Sequence, residues 1–225
     1  MTENPYAAPT FDPLASSDLT ELMPILQGVQ WPLRMSFKIL TFAPTVRIHD
    51  ATGRLVVMVR QKFFKLKEHV EIFADEQRTH LVAEIRANKI IVWSPRYSFT
   101  EPDGRAIGST QRQGMRSLWR ASYDVYNPGD DTPDFHIRET NPMAKFFDGL
   151  VGSIPLLGLL TLYLFHPSYA ATRLVGGVPV MKLTKQPAFL EGRFLVEKLA
   201  PATDRETLNL ILAFFMLCLM ERRRG

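Results

Sequence analysis

The chain has 225 residues, 46% hydrophobic and 22% charged, a balance that belongs to globular proteins and excludes a disordered or fibrous one. Its one cysteine, Cys218, excludes an internal disulfide and a thiolate metal cluster. The 27 basic against 23 acidic side chains leave a net charge of +4, which favours an anionic partner without demanding nucleic acid, and none is expected.

Residues 1–30 begin MTENPYAAPTFDPLASSDLTEL, with neither the basic n-region nor the apolar h-region of a secretory signal. They are expected to be a disordered or loosely attached tail of a cytoplasmic protein. The domain then runs over 31–225. From Arg34 to Glu139 short alternating or β-branched runs are broken by turn residues, the signature of consecutive antiparallel hairpins. Asp50-Ala51-Thr52-Gly53, Ala74-Asp75-Glu76-Gln77, Glu101-Pro102-Asp103-Gly104, Asn127-Pro128-Gly129-Asp130 and Gly176-Gly177 mark the turns. With Arg34 to Thr41 in front and Phe189 to Lys198 behind, the runs make roughly a dozen strands. A sheet that large tends to curl, and closure removes its edges. The fold class expected is mainly β: a closed antiparallel barrel of about twelve strands.

Two apolar stretches interrupt this pattern. Asn141-Pro142 opens a helical insertion over 141–168, through the uncharged run Gly149 to Phe165. Pro155, with Gly149, Gly152 and Gly158 around it, suits a kinked helix or two short helices better than one straight span. The second stretch is a helix over 204–222. Thr203-Asp204-Arg205-Glu206 has capping-box spacing, and Leu208 to Met220 is greasy on every face, so it needs a container. Spanning only about 20 Å, those thirteen residues fall short of a bilayer core, and a barrel of about twelve strands is wide enough to hold them. Cys218 reads as a packed core thiol within that helix.

The serial hairpins, especially YSFTEPDGRAIGST followed by SLWRASYDVYNPGD, and FLEGRFLVEKL leading into ETLNLILAFFMLCLMERR, resemble the tubby C-terminal-like superfamily, which includes phospholipid scramblases and LURP-one-related proteins. The resemblance covers about 34–225 and implies a twelve-stranded barrel around a hydrophobic C-terminal helix. It also implies basic barrel-surface residues that hold phosphoinositide headgroups, and, by resemblance only, a lipid-scrambling activity. The acidic, calcium-linked segment of scramblases has no counterpart, because Asp204 is the lone carboxylate in Leu199 to Asp204.

No cluster of His, Cys or carboxylates has ligand spacing, and no nucleophile elbow, phosphate loop or dinucleotide fingerprint occurs. No enzyme, cofactor or metal site is therefore expected. His136 and the other histidines read as surface or structural residues. Two basic stretches are the candidates for lipid headgroups: Arg60, Lys62, Lys65 and Lys67 around Phe63-Phe64, and Arg112, Arg116 and Arg120 in the acid-free run from Arg105. Candidate membrane contacts are Leu150, Ile154, Leu156, Leu157, Leu159, Leu160, Leu162, Leu164 and Phe165 of the insertion. The function expected is non-enzymatic association with membrane phospholipid. Two alternatives stand beside it: a protein-interaction scaffold or homo-oligomer that uses the insertion, and an integral protein spanning at 149–165.

Overall fold

Strands of period two bury one face, and twelve of them in series can bury all those faces at once only by curling round a shared core. The computed structural model describes residues 24–38, 45–60, 69–87, 96–113, 122–140, 167–188 and 191–222. In chain order the strands are β1 (Leu33–Lys38), β2 (Thr45–His49), β3 (Leu55–Arg60), β4 (His69–Phe73), β5 (Leu81–Ala87), β6 (Arg96–Thr100), β7 (Ala106–Arg112), β8 (Ser122–Tyr126), β9 (Phe135–Glu139), β10 (Ser168–Arg173), β11 (Pro179–Gln186) and β12 (Glu191–Lys198). Each pairs antiparallel with the next, and β1 pairs with β12, so the sheet closes. The five turn sequences named above sit between β2 and β3, β4 and β5, β6 and β7, β8 and β9, and β10 and β11. β10 takes Ser168, the last residue of the expected insertion, because Ser168 pairs with Thr184 of β11.

The C-terminal helix α1 (Asp204–Arg222) supplies the core. From Leu208 to Leu219 no residue is more than 6% exposed. Twelve consecutive residues cover more than three helical turns, so the helix is enclosed on every side. Phe214 and Phe215 join one continuous cluster with Met35, Ile72, Phe99, Phe135 and Val196 of the strands. Each such side chain contributes about 1.5–3 kcal/mol by leaving water. The helix is thus enclosed by the barrel, as its length and all-round apolar surface suggest, and no helix among the described residues is long and apolar enough to cross a membrane.

The helix start is built as its sequence suggests. The Glu206 N–H donates to Thr203 Oγ1 at 3.2 Å, and the Thr203 N–H donates to Glu206 Oε2 at 2.9 Å. Arg173 of β10 clamps the same carboxylate at 2.5 and 3.2 Å, which ties the cap to the barrel wall. Burial pushes the Glu206 carboxyl up, but its bonds from Arg173 and Thr203 outweigh this and hold it below its ordinary value.

One helix residue departs from the all-apolar expectation. Asn209 is fully buried and donates to the Tyr126 carbonyl at 3.0 Å. Gly108 of β7 leaves room for it, since a Cβ there would stand 2.2 Å from Asn209 Nδ2. At the closing seam, Gly192 of β12 lies under the Phe37 ring, which stacks on Phe194 at 5.8 Å. Within the stretch read as a tail, Pro24–Leu26 forms a 3-10 turn, and Ile25, Leu26 and Val29 pack against the core.

Candidate functional site

Strands that run alternately up and down a barrel divide its connections between two ends. The turns at 50–54, 74–80, 101–105, 127–134 and 174–178, with the passage 199–203 into α1, lie at one end. At the other end open the strand termini Arg60 and His69, Ala87 and Arg96, Arg112 and Ser122, and Glu139 and Ser168.

The candidate headgroup residues divide accordingly. Lys62, Lys65, Lys67, Arg116 and Arg120 lie outside the described residues, as do all nine candidate membrane contacts from Leu150 to Phe165. Arg60 is the last residue of β3 and pairs with Thr45. Arg112 ends β7 opposite Tyr123, which is fully buried on the inner face, and its guanidinium lies 6.0 Å from that ring. Arg112 therefore belongs to the row of positions that faces the barrel interior. Arg105, at the start of the second basic stretch, sits at the opposite end and is paired with Asp103 and Glu101 at 2.6 and 3.3 Å. One strand length separates it from the rest of that stretch, because β7 runs between them.

Among the described residues, one cavity is a groove of about 610 Å³ on the outside of the closing seam, where Arg34, Ser36, His49, Gln186, Glu191 and Arg193 supply its polar lining. Strand register explains their meeting. Arg34 stands opposite both Leu195 and His49, and Ser36 opposite both Arg193 and Arg47, so the polar side chains of β12, β1 and β2 form adjacent rows on one face. Arg193 Nε meets Glu191 at 3.0 Å. Arg34 has no carboxylate partner among the described residues, and its Nη1 donates only a long bond, 3.4 Å, to the Ala51 carbonyl. The second cavity, about 290 Å³, is lined by Arg96, Ser109 and Asp130. There the guanidinium is already engaged by Ser109 Oγ at 2.8 Å, the Asp130 carbonyl at 3.2 Å and the Tyr126 ring.

A further cluster that the histidine spacing did not reveal crosses β8 and β9. His136 Nδ1 stands 2.5 Å from Asp124 Oδ1, and its Nε2 stands 3.3 Å from Ser122 Oγ. That is the order of groups that activates a serine nucleophile. Gln113 changes its character: its amide donates to both Asp124 oxygens at 3.1 and 2.9 Å, and its Oε1 takes the Ser122 hydroxyl at 3.2 Å. The single Ser122 proton thus has two acceptors, Ser122 and His136 are each only 8% exposed, and neither cavity opens on them. The cluster ties β8 and β9 to the residue that follows β7. Burial pushes the Asp124 carboxyl up, and the bonds from His136 and Gln113 more than reverse it.

In its class the molecule is a closed twelve-stranded antiparallel barrel wrapped round a buried C-terminal helix. No family model matches the chain, and no curated protein matches it by sequence. Among solved structures, the X-ray structure of a protein from Arabidopsis thaliana is similar at 11% identity and a TM-score of 0.45, over 91% of this chain and 98% of that one.

Proposed function

We propose that this protein is a non-enzymatic, tubby-like or scramblase-like barrel that associates with membrane lipid through anionic headgroups. What carries the reading is the unequal distribution of charge between the barrel's two ends. The segments 61–68, 88–95 and 114–121, which join strand termini at one end, contain Lys62, Lys65, Lys67, Lys89, Arg116 and Arg120 against Glu68 alone, with Phe63, Phe64, Trp93 and Trp119 among them. The turns at the opposite end contain Asp50, Asp75, Glu76, Glu101, Asp103, Asp130, Asp131 and Asp134 against Arg54, Arg78 and Arg105. Cations close to an anionic leaflet contribute about 1 kcal/mol each, and interfacial aromatic rings suit the headgroup level. The apolar run 149–165 belongs to the connection between Glu139 and Ser168, which joins strand termini at that same basic end.

Flotation of the full chain with vesicles tests this. It is expected to float with vesicles that contain phosphatidylserine, to stay behind with pure phosphatidylcholine, and to be released as salt rises from about 0.1 M to about 1 M. Failure to float, or equal flotation with neutral vesicles, would remove the headgroup reading.

A further inference from the structure

We infer that the groove over the closing seam is a binding site for a small organic phosphate monoester. It lies on the barrel's side, on residues distinct from those of the proposed membrane-facing end. Arg34 and Arg193 are diagonal neighbours across the β1–β12 pair, since Arg193 lies two residues from Leu195, the partner of Arg34. Diagonal positions in a sheet are about 7–8 Å apart at Cα, a spacing from which two long guanidiniums can converge on one anion. Ser36 completes the triangle, opposite Arg193 and two residues along from Arg34, and its hydroxyl has no hydrogen-bond partner among the described residues.

The chemistry selects the ligand. Two guanidinium forks and a hydroxyl meet a tetrahedral oxyanion with several charge-assisted donors, which a lone lysine cannot do. Among the described residues Glu191 is the one carboxylate lining the groove, and it competes for Arg193. A phosphate monoester, carrying about −1.5 to −2 charges at neutral pH, outcompetes it where a monoanionic diester has less to gain. The groove's volume of about 610 Å³ far exceeds a bare phosphate, and Leu195 and Pro187 give it an apolar margin for an organic remainder.

Glycerol 3-phosphate, titrated into the full chain by calorimetry, is the probe, with the diester glycerophosphocholine as control. Saturable binding of the monoester is expected, at least tenfold tighter than the diester, and R34Q or R193Q should each weaken it about tenfold. E191Q should strengthen it by removing the competing carboxylate, and this variant keeps the test decisive if an arginine variant fails to fold. Absence of saturable binding, or affinity unchanged in R34Q, R193Q and E191Q, would overturn the inference.

Vesicles of phosphatidylcholine with phosphatidic acid, itself a phosphomonoester, separate the two sources of the ligand. In a chain whose Lys62, Lys65 and Lys67 are already glutamine, if adding R34Q/R193Q lowers flotation on them, the site takes a lipid headgroup; if flotation is unchanged while glycerol 3-phosphate binding is lost, it takes a soluble phosphate. A chain with Lys62, Lys65 and Lys67 changed to glutamine retains glycerol 3-phosphate binding under this proposal whether or not it still floats, so its behaviour distinguishes a failed groove from a failed membrane reading.

Discussion

The connections at the two ends of this barrel differ in charge. At the end where α1 begins, four aspartates close turns. Asp50 accepts the N–H groups of Thr52 and Arg54, Asp75 those of Thr79 and His80, Asp103 that of Arg105, and Asp134 that of Asn127. These four aspartates accept N–H groups of their own hairpins, Glu76 instead reaches Arg47 of β2, and Glu206 is held by the helix cap and Arg173. The connecting segments 61–68, 88–95 and 114–121 of the other end lie outside the described residues, and their sequence holds Lys62, Lys65, Lys67, Lys89, Arg116 and Arg120. An acidic run in a sequence can therefore be turn chemistry, whereas the membrane role proposed for the basic runs is what vesicle experiments test.

If the acidic end and the enclosed helix serve folding, and the basic end serves binding, changes at the two should separate cleanly. Phe214→Ala, in the fully buried middle of α1, is expected to cost about 3–5 kcal/mol in urea unfolding while leaving any vesicle binding of the remaining folded protein intact. At the opposite end, replacing Lys62, Lys65 and Lys67 by glutamine should weaken flotation on phosphatidylserine vesicles by about 3 kcal/mol, roughly a hundredfold, with an unchanged unfolding midpoint. A drop in stability of similar size would show that these lysines hold the barrel together, and the contrast between the ends would fail.

Gly108→Ala sharpens the folding side. Its Cβ would collide with the Asn209 amide, so a loss of about 1–3 kcal/mol is expected, with a smaller loss when Asn209→Ala is already present. Additive losses in that double-mutant cycle would mean the helix is not seated on β7 at this contact.

The smallest effect concerns pH. The Thr52 hydroxyl, at 2.6 Å, is the main cause that lowers the Asp50 carboxyl from 3.8 to about 2; burial opposes it and backbone N–H groups reinforce it. A carboxyl depressed in the folded state stabilises it above the unfolded value, and that stability disappears as pH falls through about 4 to about 2. Asp50→Asn should therefore destabilise at pH 7, and its difference from wild type should shrink on acidification over that window in urea titrations. A constant difference would assign Asp50's role to packing.

Much of the scaffold was legible before any coordinates. Alternating runs and turn dipeptides, at 50–53 and 101–104 for example, name the hairpins because their cause is local: period-two burial and backbone torsion. The capping box at Thr203 and the all-round apolar helix after it are local in the same sense. Asn209 was hidden inside that helix, since one polar residue in a greasy run is conspicuous only when the Tyr126 carbonyl and Gly108 are seen beside it.

The groove was not legible at all. Arg34 and Ser36 stand at one end of the chain and Arg193 near the other, and no spacing rule links them; they meet because β1 hydrogen-bonds to β12 when the barrel closes. The Asp124–His136 contact likewise needs the β8–β9 register, in which a slip of one residue would point one partner inward. From the residues alone came the strands, their turns and the helix that must be enclosed, because backbone torsion and burial periodicity act between near neighbours. Closure and register decided which distant side chains share a face, because long-range strand pairing is set by the packing of the whole sheet around α1.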